Sequence, residues 1–276
     1  MELSDRSASF STLFCPEDGS YIAAGDEYDD QHELFIFCSE SSPLQTEDEY
    51  IETLVSEERS LLGDDISASG TSLLCNRYEF VRWILKMKAC FGFSSQTAYL
   101  AVTYIDRFFL RRTIDEGKTW AIKLLSISCL SLASKMEEYS PPLLSEYCFE
   151  GHRFSSQVTQ RMELLVLVTL EWRLSSVTPF VYLRYFASKF NFEQRSKNLF
   201  SLAISFIFDI LEAASLMNYR PSAIAAAAIF AASGDRLTNN LLESKINTVS
   251  LSESLDIGQV FTCYNAMIHK SKKENL

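Results

Sequence analysis

The chain has 276 residues, 25 Lys+Arg against 36 Asp+Glu for a formal net charge of −11, and 47% hydrophobic residues of which many are aromatic. That composition fills a core and excludes global disorder, and no basic stretch leading into an apolar one, nor any apolar run of membrane length, predicts a signal peptide or a membrane partner. The acidity belongs to one end: residues 1–70 hold eighteen acids and two bases, Arg6 and Arg59, a net of −16, which leaves +5 on the remainder and argues against nucleic acid as a partner of that end.

Residues 1–45, rich in Ser, Thr, Asp and Glu and broken by Pro16 and Pro43, are predicted to be a disordered acidic tail. Thr46 with Glu49 three residues on forms a capping box, and Ile51, Leu54, Val55, Leu61 and Leu62 continue it as a helix to about Leu62. A polar gap, Gly63–Thr71, follows. The spacing then predicts helices over about 76–91, ended by Gly92; from Ser94 or Ser95 to Arg112; and over about 118–138, apolar nearly all round and rich in Ala and Ser. A helix of that composition is surrounded by others. Pro141-Pro142 predicts a stop and a short fourth helix, and Ser155 caps a fifth to about Leu170.

After Trp172 the pattern restarts. Thr178-Pro179 predicts a capped helix to about Phe190, a long one follows at about 196–216, Arg220-Pro221 opens an Ala-rich helix, and weaker ones fall near 238–247 and 252–272. Two all-helical repeats of five helices each are expected, with no run of period-two alternation to suggest a strand. The units are the tail at 1–45, a first repeat with its preceding helix at 46–175, and a second repeat at 176–272.

Enzyme chemistry is hard to write on this chain. Nine glycines are scattered singly, and His32, His152 and His269 are isolated, so no phosphate-cradling loop, dinucleotide fingerprint, metal-binding helix or hydrolase nucleophile elbow can be assembled. No cofactor or metal is expected. Glu137-Glu138 read as a solvated helix end, because adjacent helical positions diverge. The seven cysteines, Cys15, Cys38, Cys75, Cys90, Cys129, Cys148 and Cys263, form no Cys-x-x-Cys pair and point to free thiols in a reducing compartment.

Two groups of residues remain. In the tail, Leu13, Cys15 and Glu17 form Leu-x-Cys-x-Glu; in an extended chain the period of two puts all three on one side, and Pro16 keeps Cys15 out of the helical region, a strip suited to docking on a pocket protein. A chance triple is the alternative. In the body, Arg77, Asp106, Lys135 and Glu163 sit inside otherwise apolar helices. Buried charges need partners, and an Arg77–Asp106 pair is one solution, edge charges reaching water the other.

Tyr99-Leu-Ala-Val-Thr-Tyr-Ile-Asp-Arg-Phe, Leu132-Ala-Ser-Lys-Met-Glu-Glu, Arg161-Met-Glu-Leu-Leu-Val-Leu, Leu170-Glu-Trp-Arg-Leu and Val177-Thr-Pro-Phe resemble a cyclin box in order and spacing. With the tail motif and Tyr219-Arg-Pro-Ser-Ala-Ile-Ala-Ala-Ala-Ala, the chain is similar to the plant D-type cyclins. The resemblance implies tandem five-helix folds and a non-catalytic regulatory subunit of a serine/threonine protein kinase, promoting G1/S entry in the nucleus and cytoplasm. It implies that Lys135 and Glu163 grip the regulatory helix of a cyclin-dependent kinase, that Arg77 and Asp106 form a buried structural ion pair, and that Leu13, Cys15 and Glu17 bind a retinoblastoma-related protein. Phe80 and Trp83 fall where the family carries an apolar docking patch for substrates and kinase inhibitor proteins, but Asn76 and Glu79 stand for apolar residues there and Lys86 for an acid. The alternatives are a cyclin-fold scaffold in transcription, for which the basic residues Arg107, Arg111, Arg112, Lys118 and Lys123 are sparse, and an atypical cyclin that binds a kinase without activating it.

Overall fold

The computed structural model describes residues 47–62, 71–115, 117–192, 198–213, 219–234, 238–246 and 255–274. The tail and its Leu13, Cys15 and Glu17 lie outside the described residues, as does the predicted cap Thr46.

Helix α1 spans Glu47–Leu62 and opens on Glu47, Asp48 and Glu49, acids that favour the positive end of the helix dipole. α2 spans Thr71–Phe91; it starts before the expected position because Thr71 and Ser72 belong to its first turn rather than to the gap. It stops at Gly92, whose φ of 69° only glycine adopts at no steric cost. α3 spans Ser95–Arg111 and is capped by Ser94, whose hydroxyl accepts from the Thr97 amide at 3.1 Å. α4, Thr119–Glu137, is buried from Ala121 to Ser134 apart from Lys123, as its composition predicts. Its core serines return their hydroxyls to their own helix, Ser126 donating to the Ile122 carbonyl and Ser128 to that of Leu124.

The short fourth helix expected after Pro141-Pro142 is a single turn. The Glu146 amide donates to the Leu143 carbonyl and the Glu146 carboxylate accepts from the Leu143 amide, so the side chain closes the turn and no further residue extends it. A tight hairpin-like bridge between Phe149 and His152 follows, turning through Glu150 and Gly151 at positive φ. α5 spans Ser156–Thr169 with Ser155 as its cap.

The second repeat comprises α6 (Phe180–Lys189), α7 (Leu199–Ala213), α8 (Pro221–Ser233), α9 (Asn239–Ile246) and α10 (Ile257–Glu274). Thr178 does not cap α6 as expected: its hydroxyl donates to the Gln96 side chain in the first repeat, and Pro179 occupies the cap position without a side-chain bond. α8 begins at Pro221, ends at left-handed Gly234, and buries every residue from Ser222 to Ala232.

The two halves repeat one plan. α4 packs against α2, α3 and α5, and α8 against α6, α7 and α10, so each small-residue helix is the axle of its repeat. α2 meets α7 where the repeats join. Aromatic stacking of Phe186, Phe190 and Phe230 fills the centre of the second repeat. Among the described residues no strand forms, and no helix is long and apolar enough to cross a membrane.

Candidate functional site

The last turn of α4 presents Lys135, a cation at the negative end of the helix, and α5 presents Glu163 across from it. The Lys135 ammonium donates to Glu163 Oε1 at 2.7 Å; the lysine side chain is 40% exposed and the glutamate 9%. The sequence singled out both residues; the structure brings them together. Beneath the pair, burial and then the nearby Glu163 charge push the Cys129 thiol well up, and burial raises the Tyr147 phenol to about 12 although its bond to the Ser134 hydroxyl opposes the rise. Neither group ionises in use, so the charge available at this surface is that of Lys135 and Glu163 themselves.

Exposed apolar side chains follow both members of the pair in the chain. Met136 follows Lys135, with Tyr139 and Leu143 beyond it on the turn; Leu164 and Val168 lie one turn apart on α5, and Trp172 follows at the end of that line, all of them exposed. So many exposed large apolar residues on two packed helices and the segments that leave them are more than isolated surface side chains.

Behind this surface, Arg77 of α2 and Asp106 of α3 form a two-pronged pair, Nε to Oδ1 at 3.1 Å and Nη2 to Oδ2 at 3.0 Å, with both side chains buried. The third guanidinium nitrogen, Nη1, donates to the Leu211 carbonyl near the end of α7. Arg77 thereby joins three helices and both repeats, which the sequence did not indicate.

Phe80 and Trp83 are buried, not exposed as a docking patch requires. The Trp83 ring stacks on Phe149 with centroids 4.6 Å apart, and its indole N–H donates to the Cys148 carbonyl. A shallow cleft beside them is lined by Glu79, Phe80, Thr119, Ile122, Lys123 and Phe149. Lys123 lies over the Phe149 ring and pairs with Glu150 at 2.9 Å and Glu79 at 3.7 Å. Its hydrogen bond and charge hold the Glu150 carboxyl below the ordinary range, with His152 and Lys86 adding smaller pulls the same way. The cleft therefore holds one lysine between two acids.

Sequence reasoning missed the roles of four carboxylates. Glu138, read as solvated, accepts from the Ser94 amide at 2.8 Å and from the Thr97 hydroxyl, and so clasps the start of α3. Glu137 accepts from the Gln96 amide, whose oxygen receives the Thr178 hydroxyl. Burial, and then the Glu138 charge, raise the Glu137 pKa against the Gln96 bond. The signal was present: two acids at a helix C-terminus are unfavourable for that helix and belong with the N-terminus of another. Glu58 of α1, 2% exposed, accepts from both the amide and the hydroxyl of Ser222 in the first turn of α8, each at 2.9 Å. Burial raises its pKa, and the nearby Tyr182 hydroxyl and the Ser222 bonds oppose the rise only in part. At the other end of α1, Asp48 accepts from the Tyr185 hydroxyl and pairs with Lys189 at 2.8 Å. Nothing in the spacing of an acidic surface-like helix indicated these.

The family model for the N-terminal domain of cyclins matches residues 49–175, and that for the C-terminal domain matches 177–276. Among curated proteins, Cyclin-D5-1 of Oryza sativa subsp. japonica is 46% identical over 193 residues, covering 68% of this chain and 53% of the relative. Cyclin-D5-2 of the same species is 46% identical over 207 residues, covering 70% and 57%, and Cyclin-D1-1 of Arabidopsis thaliana is 34% identical over 262 residues, covering 86% and 76%. The chain thus spans a little over half the length of the rice relatives. In solved structures, a viral cyclin from herpesvirus saimiri superposes with a TM-score of 0.62 at 18% identity, covering 80% of this chain and 97% of the viral one. A chain of the CAK complex of Chaetomium thermophilum bound to ATP-gamma-S superposes at 0.52 and 14% identity, covering 88% and 75%. Both share the fold.

Proposed function

The chain belongs to the cyclin family, with plant D-type cyclins among its relatives, and from that premise we propose that it is the non-catalytic regulatory subunit of a cyclin-dependent kinase. The observation that carries the reading is the Lys135–Glu163 pair set among exposed apolar residues. A protein kinase transfers phosphate only when the lysine of its active site is paired with a glutamate on its mobile helix, so whatever holds that helix controls the reaction. Met136, Leu164 and Val168 offer that helix an apolar bed. Lys135 and Glu163, which satisfy each other in the free chain, exchange that bond for polar groups on the kinase. No atom of this chain takes part in phosphoryl transfer.

The tail extends the proposal. Leu13, Cys15 and Glu17 recruit a retinoblastoma-related protein as the substrate of the assembled kinase, and its phosphorylation promotes G1/S entry, in the nucleus as well as the cytoplasm. A Lys135→Glu, Glu163→Lys double reversal tests the core of this reading. It keeps the two charges paired, so the variant is expected to fold as judged by circular dichroism and yet to lose co-purification with cyclin-dependent kinases and their activation. Undiminished co-purification excludes this pair as the contact.

A further inference from the structure

Arg107 and Arg111 lie one turn apart on α3 and face the chain that leaves α5. Arg107 Nη1 donates to the Ser176 hydroxyl at 3.1 Å; Arg111 Nη1 donates to the Thr169 carbonyl at 3.0 Å and meets Glu171 at 2.7 Å. Arg173 reaches the other oxygen of Glu171 at 3.8 Å. Two guanidiniums, Arg111 and Arg173, therefore share one carboxylate, while Arg107 one turn back on α3 bonds only a neutral hydroxyl, and Arg112, next in the chain to Arg111, is exposed. Their crowding has an electrostatic signature: after burial, the neighbouring Arg111 and then Arg173 are what disfavour the charged form of Arg107, and Glu171 is the smallest of the influences on it. Such an excess of positive charge is under-neutralised by the fold itself.

The backbone adds a second observation. Glu171 and Trp172 take φ of 55° and 61°, two successive non-glycine residues in the left-handed region. That conformation is costly and clusters at functional positions. Here it leaves the Trp172 ring 65% exposed, between Glu171 and Arg173 in the chain, whose side chains meet each other. Leu164 and Val168 are exposed one turn apart on α5, the helix that carries Glu163, and the chain leaving that helix runs through exposed Trp172 to the arginines' partners, so a partner that follows α5 from the Lys135–Glu163 pair to its end reaches this stretch.

We propose that Arg107, Arg111 and Arg173 form an acid-binding flank of the kinase surface, which receives an Asp- or Glu-bearing segment of the bound kinase and favours kinases that carry one. The inference rests on the kinase reading above. Compactness favours an acidic protein segment over nucleic acid: a polyanion is held along a basic track, whereas these arginines are tied to one short stretch, Thr169 to Ser176. The second role of these arginines, binding the end of α5 and Ser176, fixes their positions and so prepares the site before the partner arrives.

The test uses the full chain and a purified panel of cyclin-dependent kinases, with association rates followed from low to high salt. Arg173→Glu changes an exposed side chain that pairs loosely with Glu171, and should slow association roughly tenfold at low salt while flattening the salt dependence, because peripheral charges act on encounter. Glu171→Gln should act in the opposite direction. Reversing the matching acid on the kinase to lysine should restore the rate of the Arg173→Glu chain. If the parent chain binds a kinase and both variants associate at its rate at every salt concentration, the flank is refuted and the kinase reading stands. If the parent binds no kinase of the panel, both fail. Salt-dependent binding of duplex DNA that Arg173→Glu abolishes, with kinase association unchanged, assigns the arginines to nucleic acid and also overturns the proposal.

Discussion

At the scale of single residues the most consequential group is the Arg77 guanidinium. Each of its three nitrogens is used, two on Asp106 and one on the Leu211 carbonyl, so removing either charge strands the other in a dry interior. Asp106→Ala is expected to cost about 3–5 kcal/mol in urea denaturation, and replacing both residues by apolar ones of similar volume should cost less than that single change. A loss under about 1 kcal/mol for Asp106→Ala, typical of an exposed pair, would show that water reaches the site. Glu58 makes a pH-dependent prediction. Its pKa is raised on folding, so between the unfolded carboxylate pKa and its own higher value the native state holds the extra proton. Stability contributed by the protonated form is complete below that window and is lost as pH rises through it. Glu137 contributes with the same sign. Glu58→Gln should flatten this decline; an unchanged pH profile of the denaturation midpoint assigns the slope elsewhere. The reason Arg77 and Asp106 were legible is that a charge inside an apolar helix has few places to go. Glu58 was not, because it lies in a helix of many acids where nothing local distinguishes the one that is buried.

At the scale of elements, helix ends were largely readable because Ser94, Ser155, Pro221, Gly92 and Gly234 act locally, through their own backbone and nearest amides. The failures were tertiary. Pro141-Pro142 permits a helix start, but the Glu146 side chain closes a single turn; Thr178 is a good cap that the Gln96 side chain takes away. Likewise the Lys135–Glu163 contact depends on α4 packing against α5, which the separate helical patterns do not fix. The two axle helices make the sharpest prediction at this level. Ala223 through Ala228 are wholly buried, so α8 is close to its neighbours on every side. Ala227→Leu is expected to lose 1–3 kcal/mol or more, roughly the cost of overpacking, measured as a lower melting temperature in calorimetry. A neutral result would mean that α6, α7 and α10 move apart freely to admit it.

The whole molecule is two repeats of one plan held together by a few long-range bonds: Arg77 to Leu211, Thr178 to Gln96, and α1, which precedes the first repeat yet fastens to the second through Asp48 and Glu58. With those ties intact the body should unfold in one transition, its calorimetric and van't Hoff enthalpies equal; Ile51→Ala with Val55→Ala, which loosens α1, should lower the midpoint. The charge is uneven along the chain, with −16 on residues 1–70, α1 included, and +5 on the remainder. Cys15→Gly with Glu17→Ala should therefore remove retinoblastoma-related binding in a pull-down and leave kinase binding untouched, and equal loss of both would show that tail and body do not act separately. The placement of α1 also sets an order of events during synthesis. Among the described helices it is the first to leave the ribosome, but Tyr185 and Ser222 follow 137 and 164 residues after Asp48 and Glu58. At ~5–20 residues per second it waits on the order of ten to thirty seconds, with Ile51 and Val55 uncovered, before the surface that shelters them exists. Of the described helices, the one made earliest is therefore among the last to lock into place.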